Sequence, residues 1–211
     1  MKSKLIISKI PKLSGSQSQA NQESFVYWVT KKTHGYYLEI GSYDAFKISN
    51  TYILESKLSW KGIGVEIIPK LVEDYNLKRT NKAILADARI LDYEELFNNG
   101  NFPSVIDYLQ VDIEPPRNSY KALRKVLRSS RDFNVITFEH DLYHTKFRLP
   151  LNLIWKYKAY FLLRRKGYVL LVSNVTLNKS KFEDWYVHKL ALQGQRYKKL
   201  RNIDFKEIFE Q

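Results

Sequence analysis

The sequence predicts a doubly wound α/β sheet, and three observations carry that reading. The stretch Tyr36–Asn50 (YYLEIGSYDAFKISN) runs from bulky β-favouring residues through Gly41 and a polar turn into a helix-like segment, the opening unit of such a sheet. Strand-like and helix-like segments then alternate about five times, the pattern of a mostly parallel sheet with helices on both faces. Val105–Val111 (VIDYLQV) is nearly continuous in apolar character, as a central strand covered on both sides should be.

Taken in order, residues 14–24 (SGSQSQANQES) are polar and read as a loop. A short helix follows, because Phe25, Trp28 and Val29 share one face at helical spacing. After the strand at 36–40, residues 50–59 read as a helix with Leu54 and Leu58 on one side. Gly62–Ile67 is a second strand, and Pro69 suits the first turn of the next helix, whose apolar face is Leu71, Val72 and Tyr75. Ala83–Ala86 is a third strand. Asp92 and Glu95 have capping-box spacing, and Asn98-Asn99-Gly100 stops that helix.

After Val105–Val111, residues 117–130 form a helix with Tyr120, Leu123 and Leu127 inward. Its basic residues Arg117, Lys121, Arg124, Lys125 and Arg128 are read as a solvated face. Val135–Phe138 is a fifth strand running into Glu139-His140-Asp141, and 142–152 is expected to be a loop over the strand ends. Residues 153–166 read as a helix stopped by Gly167. Tyr168–Val172 and Trp185–Val187 are two late strands, and 199–211 has only a weak helical pattern. The whole reads as one domain over 1–211, with a lead-in and helix over 1–33, a core over 34–190 and a tail over 191–211.

Composition narrows the function. A 44% hydrophobic and 27% charged chain can bury a core, and the lack of cysteine excludes a thiolate metal site or thiol nucleophile. The N-terminus (MKSKLIISKIPKL) makes a poor signal peptide, because Ser8, Lys9 and Pro11 break its apolar part. With no membrane-length apolar run either, a cytoplasmic location is expected. The net charge of +13 invites an anionic partner, but the basic residues are spread over many segments. The turn itself excludes two ligand classes. After Gly41 the next glycine is Gly62, so neither a G-x-G-x-x-G dinucleotide turn nor a P-loop is present.

LEIGSYDAFKISNTYILESKLSWKGIGVEIIP, IDYLQVDIEPP, VITFEHD, RRKGYVLL and FEDWYVH, in that order, resemble the FkbM-like branch of the class I S-adenosylmethionine-dependent methyltransferases over roughly residues 36–190. Of these, SNT, W-K-G and FEDWYV are the more specific motifs. The resemblance implies a Rossmann-like, seven-stranded sheet with an antiparallel last strand, and S-adenosylmethionine across the strand ends. It assigns cofactor binding to Glu39, Gly41, Ser42, Asp44, Glu66, Ile67, Asp87 and Ala88. Glu66 would take the ribose hydroxyls, Gly41 would let the backbone approach the methionine moiety, and Asp87 would lie near the adenine. Two positions depart from the family pattern: Ala45 replaces a second glycine in the turn, and Pro115-Pro116 follows Glu114 where many relatives have glycine.

Methyl transfer to an alcohol needs alignment and removal of the hydroxyl proton, by a base or by a metal that lowers its pKa. Asp112 and Glu114 close the fourth strand, and Glu139, His140 and Asp141 close the fifth. One reading makes Asp112 or His140 a general base, with Glu114 a further catalytic candidate. A second lets Asp112, Glu139 and Asp141 hold Mg²⁺ or Mn²⁺ through oxygen. A third leaves Glu139 and His140 as strand caps. His144 lies in the acceptor loop, while His188 is expected to pack locally and His34 carries little information. Tyr143, Lys146, Phe147, Arg148, Trp155 and Tyr157 could grip a sugar ring, though helix packing explains them as well. The expected function is O-methylation of a hydroxyl, on a small-molecule or glycan acceptor, with a sugar suggested by the resemblance. The competing function is a non-catalytic module binding RNA or an acidic polymer. The charge supports it, and no nucleic-acid motif does, so a nucleic-acid partner is not expected.

Overall fold

The computed structural model describes residues 4–5, 10–143, 149–193, 196–197 and 200–209. Its elements are α1 (Gln22–Thr30), β1 (Tyr36–Ile40), α2 (Tyr52–Leu58), β2 (Lys61–Glu66), α3 (Pro69–Lys78), β3 (Lys82–Leu85), α4 (Tyr93–Asn99), β4 (Val105–Val111), α5 (Pro116–Val126), β5 (Asp132–Glu139), α6 (Leu149–Arg165), β6 (Tyr168–Leu177), β7 (Ser180–His188), β8 (Leu200–Arg201) and α7 (Phe205–Ile208). The main sheet has the order β8-β6-β7-β5-β4-β1-β2-β3. Strands β1 to β5 are parallel to one another, and β7 runs antiparallel to both β5 and β6.

The expected seven strands and antiparallel last strand are present, and two-residue β8 adds an eighth on the edge of β6. A separate two-stranded pairing joins Lys4–Leu5 to Arg196–Tyr197. Strand order reverses between β1 and β4, which places a crevice at their carboxyl ends.

Two apolar layers hold the helices on. Leu38, Ile40, Leu109, Val111 and Ile136 meet Phe97 of α4, Ala122 and Leu123 of α5, and Ala159 and Leu163 of α6. On the opposite face Tyr37, Tyr108, Val135 and Trp185 meet Phe25 of α1 and Leu54 of α2. Burying each such side chain is worth about 1.5–3 kcal/mol, so the layers dominate the stability of the sheet. Asp92 caps α4 as expected, its carboxylate accepting from Glu95 N at 3.1 Å.

Three segments differ from the expectation. Gln22, Glu23 and Ser24 belong to α1 and are buried, because Glu23 and Gln22 accept hydrogen bonds from backbone N–H groups of the preceding loop. Helix α6 begins at Leu149, inside the stretch read as loop. The late strands are two and three times as long as expected, 10 and 9 residues, and form a hairpin. Its turn, Asn178-Lys179, has positive φ at both residues (50° and 66°), the twist that two-residue hairpins need. Among the described residues, no helix is long and apolar enough to cross a membrane.

Candidate active site

Gly41 closes β1 at φ +83°, and a Cβ there would lie 1.8 Å from the carbonyl oxygen of Asp112. Asp112 N in turn donates to Ile40 O at 3.0 Å. Only glycine lets the two strand ends come this close. The residue is therefore required first by its neighbour strand, a reason the sequence reading did not include.

On the β1–β3 side the acids hold the loops. Glu39 is buried, and its Oε2 accepts from Thr51 Oγ1 (2.7 Å) and Tyr75 OH (3.3 Å). Burial pushes its carboxyl up to about 7, against the pull of the Arg79 charge and these hydrogen bonds. Arg79 ties the layer together, donating to Glu55 (2.7 Å), Ala45 O (2.8 Å), Ser49 Oγ (3.3 Å), Thr51 Oγ1 (3.2 Å) and Tyr37 OH (3.2 Å). Ala45, which stands where the resemblance leads one to expect glycine, is thus part of a built turn. Asp44 accepts from Phe46 N and Lys47 N, both at 2.8 Å, and shapes the same turn. Ser42 is buried, with no hydrogen-bond partner for its Oγ among the described residues.

Glu66 is buried at the end of β2 and receives three backbone N–H groups: Ile67 (2.8 Å), Ile68 (3.0 Å) and Tyr43 (3.2 Å). It links the turn after β1 to the start of α3. Asp87 accepts from Arg89 N (2.9 Å) and ion-pairs with its guanidinium (2.6 Å), and these hydrogen bonds hold its carboxyl below the usual range. Ala88 is buried, its carbonyl oxygen accepting from Tyr93 OH at 2.9 Å. Tyr43, Ile67 and Leu85, all more than half exposed, form an apolar rim along this edge.

The β4–β5 side differs. The register pairs Val111 with Phe138, so Asp112 and Glu139 emerge side by side. Burial pushes Asp112 up to about 6, with the Asp141, Glu114 and Glu66 charges adding to the rise. Glu139 is raised well above the ordinary value by burial and by Asp112, and is hydrogen-bonded to both Asp112 and Asp141. Two neighbouring carboxylates that cannot both ionise cheaply share a proton. Asp141 is buried at φ 49°, its backbone oxygen accepts from Asn152 Nδ2 at 2.8 Å, and its Oδ1 has no partner among the described residues. Glu114 is exposed on the turn beyond.

His140 turns the other way. It has no accessible surface, and its Nε2 lies 3.2 Å from Lys156 Nζ and 3.4 Å from Asp184 Oδ1. Burial lowers its pKa. Lys156 donates to Asp184 Oδ1 and Asn174 Oδ1, both at 2.6 Å. Against the upward push of burial, the His140 and Lys156 charges hold Asp184 well below the usual carboxylate range. This placement does not suit a base facing a bound alcohol. The Mg²⁺ or Mn²⁺ reading also loses its ground, because among the described residues no three acidic or histidine side chains form a metal-holding group. Glu139 instead lies within hydrogen-bonding reach of both Asp112 and Asp141.

His188 packs edge-on to Tyr168 (5.0 Å between ring centres) and His34 is exposed. His144, Lys146, Phe147 and Arg148 lie outside the described residues.

No family model matches the chain, and no curated protein matches it. Solved structures do. The SAH-bound Podospora anserina methyltransferase PaMTH1 superposes with a TM-score of 0.54 at 12% identity, covering 80% of this chain and 78% of that one. The N-terminal domain of EvdMO1 with SAH bound gives 0.52 at 13% identity, over 82% and 81%. The S. pombe Dnmt2 methyltransferase gives 0.53 at 13%, over 77% and 52%. The chain has a Rossmann-like methyltransferase fold.

Within that methyltransferase fold, sequence reasoning missed Arg79, Lys156 and Asp184 as organisers. Thr51 and Asp184 lay inside the quoted motifs SNT and FEDWYV, which was the available signal. Arg79 and Lys156 carried none, since their partners lie 24 and 28 residues away.

Proposed function

We propose that this chain is an S-adenosylmethionine-dependent O-methyltransferase of the FkbM-like kind, acting on a hydroxyl of a sugar in a glycan. One observation carries the reading: the adjacent carboxyls of Asp112 and Glu139, both raised, stand at the switch-point crevice beside the Gly41 turn. Perturbed carboxylates in a strand-end crevice are what a general base at neutral pH requires.

The cofactor, when bound, supplies the electrophilic methyl group. The residues suit it: the Tyr43, Ile67 and Leu85 rim offers an apolar seat for a planar base, and Glu66 offers an acceptor at the edge of β2 for ribose hydroxyls. Ser42, with its unpartnered buried Oγ, and the Gly41 turn lie where the methionine end would come. Asp44, Asp87 and Ala88 shape this edge from behind.

Asp112 takes the hydroxyl proton. With its pKa at about 6 it is largely ionised at neutral pH yet more basic than an ordinary aspartate. Glu139, protonated, donates to it and fixes its orientation, and Asp141 supports Glu139. Glu114 is placed to meet another hydroxyl of the acceptor. His140 holds the end of β5 through Asp184 and Lys156. Calorimetric titration with S-adenosylhomocysteine tests the reading. Micromolar binding is expected, and no binding by the folded protein would falsify it.

A further inference from the structure

A cavity of about 560 Å³ opens between the β4–α5 turn and α6, lined by Glu114, Pro115, Arg117, Leu151, Asn152 and Trp155. It adjoins the acid cluster on both walls: Glu114 follows Asp112 by two residues, and Asn152 holds the backbone of Asp141. Its lining sets one acid, Glu114, against a cation, Arg117, and an aromatic face. The Arg117 guanidinium and the Lys158 ammonium lie over the Trp155 indole, 5.9 and 4.5 Å from the ring centre, and Tyr120 packs against the same indole at 5.6 Å.

Among the described residues neither cation has a carboxylate within ion-pair distance. An aromatic face fixes a cation in place without neutralising it, so both charges remain available. Arg117 also occupies the first turn of α5, which contains no acid. A cation at a helix N-terminus opposes the helix dipole, and an anion there satisfies both at once.

We propose that this cavity binds the anionic group of an acidic sugar, a phosphate or a carboxylate, so that the acceptor is charged. The inference rests on the methyltransferase reading and deepens it. Arg117 in the cavity wall grips the anion, Lys158 beside the Trp155 indole adds to the positive field, and a hydroxyl on the same ring is left facing Asp112. The acids at the strand ends repel an anion and thereby fix which end of the sugar enters first.

The test is calorimetric titration of the protein saturated with S-adenosylhomocysteine, using glucose 6-phosphate, glucuronate and glucose in parallel. Either charged sugar is expected to bind at least tenfold tighter than glucose, and the stronger of the two identifies the anion. The double variant Arg117→Gln, Lys158→Gln should lose at least tenfold of that binding while S-adenosylhomocysteine affinity stays unchanged. Both side chains sit on the helix surface, so the variant keeps its fold. Equal or absent binding of charged and neutral sugars, or charged-sugar binding untouched in the variant, overturns the proposal. Failure of S-adenosylhomocysteine to bind at all sinks the underlying reading instead.

Discussion

Glu66 and Asp112 stand at the ends of strands separated only by β1, yet the protein treats them in opposite ways. Glu66 receives three backbone N–H groups, which join two loops and fix its carboxylate in place. Asp112 stands beside Glu139 and is pushed upward by burial and by the acids around it. The same contrast runs along the whole edge. On the β1–β3 side Asp44 and Asp87 are matched by amides and arginine, and Glu39, raised by burial and not by other acids, is held by hydroxyls. On the β4–β5 side the acids face one another. A satisfied acid builds a wall, whereas an acid crowded by acids is kept at an energetic cost, and function is the usual compensation.

The comparison breaks most severely if the support beneath the crowded side is removed. Lys156 and Asp184 are both buried, and taking away one partner of such a pair costs about 3–5 kcal/mol. Lys156→Met is expected near the lower end, because His140 lies 3.4 Å from Asp184 and can take up a proton in place of the lysine. In thermal unfolding this is a fall of roughly 6–12 °C for a chain of this size. An unchanged Tm would mean that the ion pair carries no net stability.

Asp112→Asn is next in size. It preserves shape and removes the charge that accepts the proton, so turnover should fall at least ~100-fold. S-adenosylhomocysteine affinity should stay within about twofold, because Asp112 lies on the acceptor side of the crevice. A fully active variant would move the chemistry to another group, with Glu114 the first to examine.

Why the fold was legible and part of the site was not follows from particular residues. Tyr36–Ile40 and Val105–Val111 read true to the residue, since a glycine or an acid ends each apolar run. The β6–β7 hairpin was under-read because Asn174 interrupts the alternation at a bulge, and Asn178-Lys179 lacks the glycine that usually marks such a turn. At the end of β5 the sequence placed Glu139, His140 and Asp141 together. Strand parity sends Glu139 to the crevice and His140 into the core beside a lysine sixteen residues on. Which of two adjacent residues faces the ligand depends on partners that local pattern does not encode.

The satisfied side gives a smaller effect. Glu66→Ala removes an acceptor at the cofactor edge, and S-adenosylhomocysteine should bind more weakly by about 1.5–3 kcal/mol, the range for a hydrogen bond to a charged group. Three backbone N–H groups also lose their partner, so the turn after β1 should exchange its amide hydrogens faster. A folded variant with an unchanged dissociation constant would show that Glu66 serves the loops alone.

The gentlest test concerns Glu183, which sits opposite Glu139 on β7 and adjacent to Asp184. Its Oε2 accepts from Gln22 Nε2 at 3.1 Å and from the Trp185 indole N–H. Burial pushes its carboxyl up to about 8, from an ordinary value near 4.5. The folded protein therefore keeps a proton that the unfolded chain releases across this window. Stability from this group is complete below the unfolded value and is lost as pH rises toward the folded one. One proton gives a slope of at most about 1.4 kcal/mol per pH unit between those limits, and none above. Glu183→Gln copies the protonated acid and removes the titration. Denaturant unfolding of both proteins at pH 5.5, 6.5 and 7.5 should show the wild type losing stability relative to the variant at each step. Parallel curves would mean that Glu183 is ionised in the folded protein, and that β7 shares the crowding of the acceptor side after all.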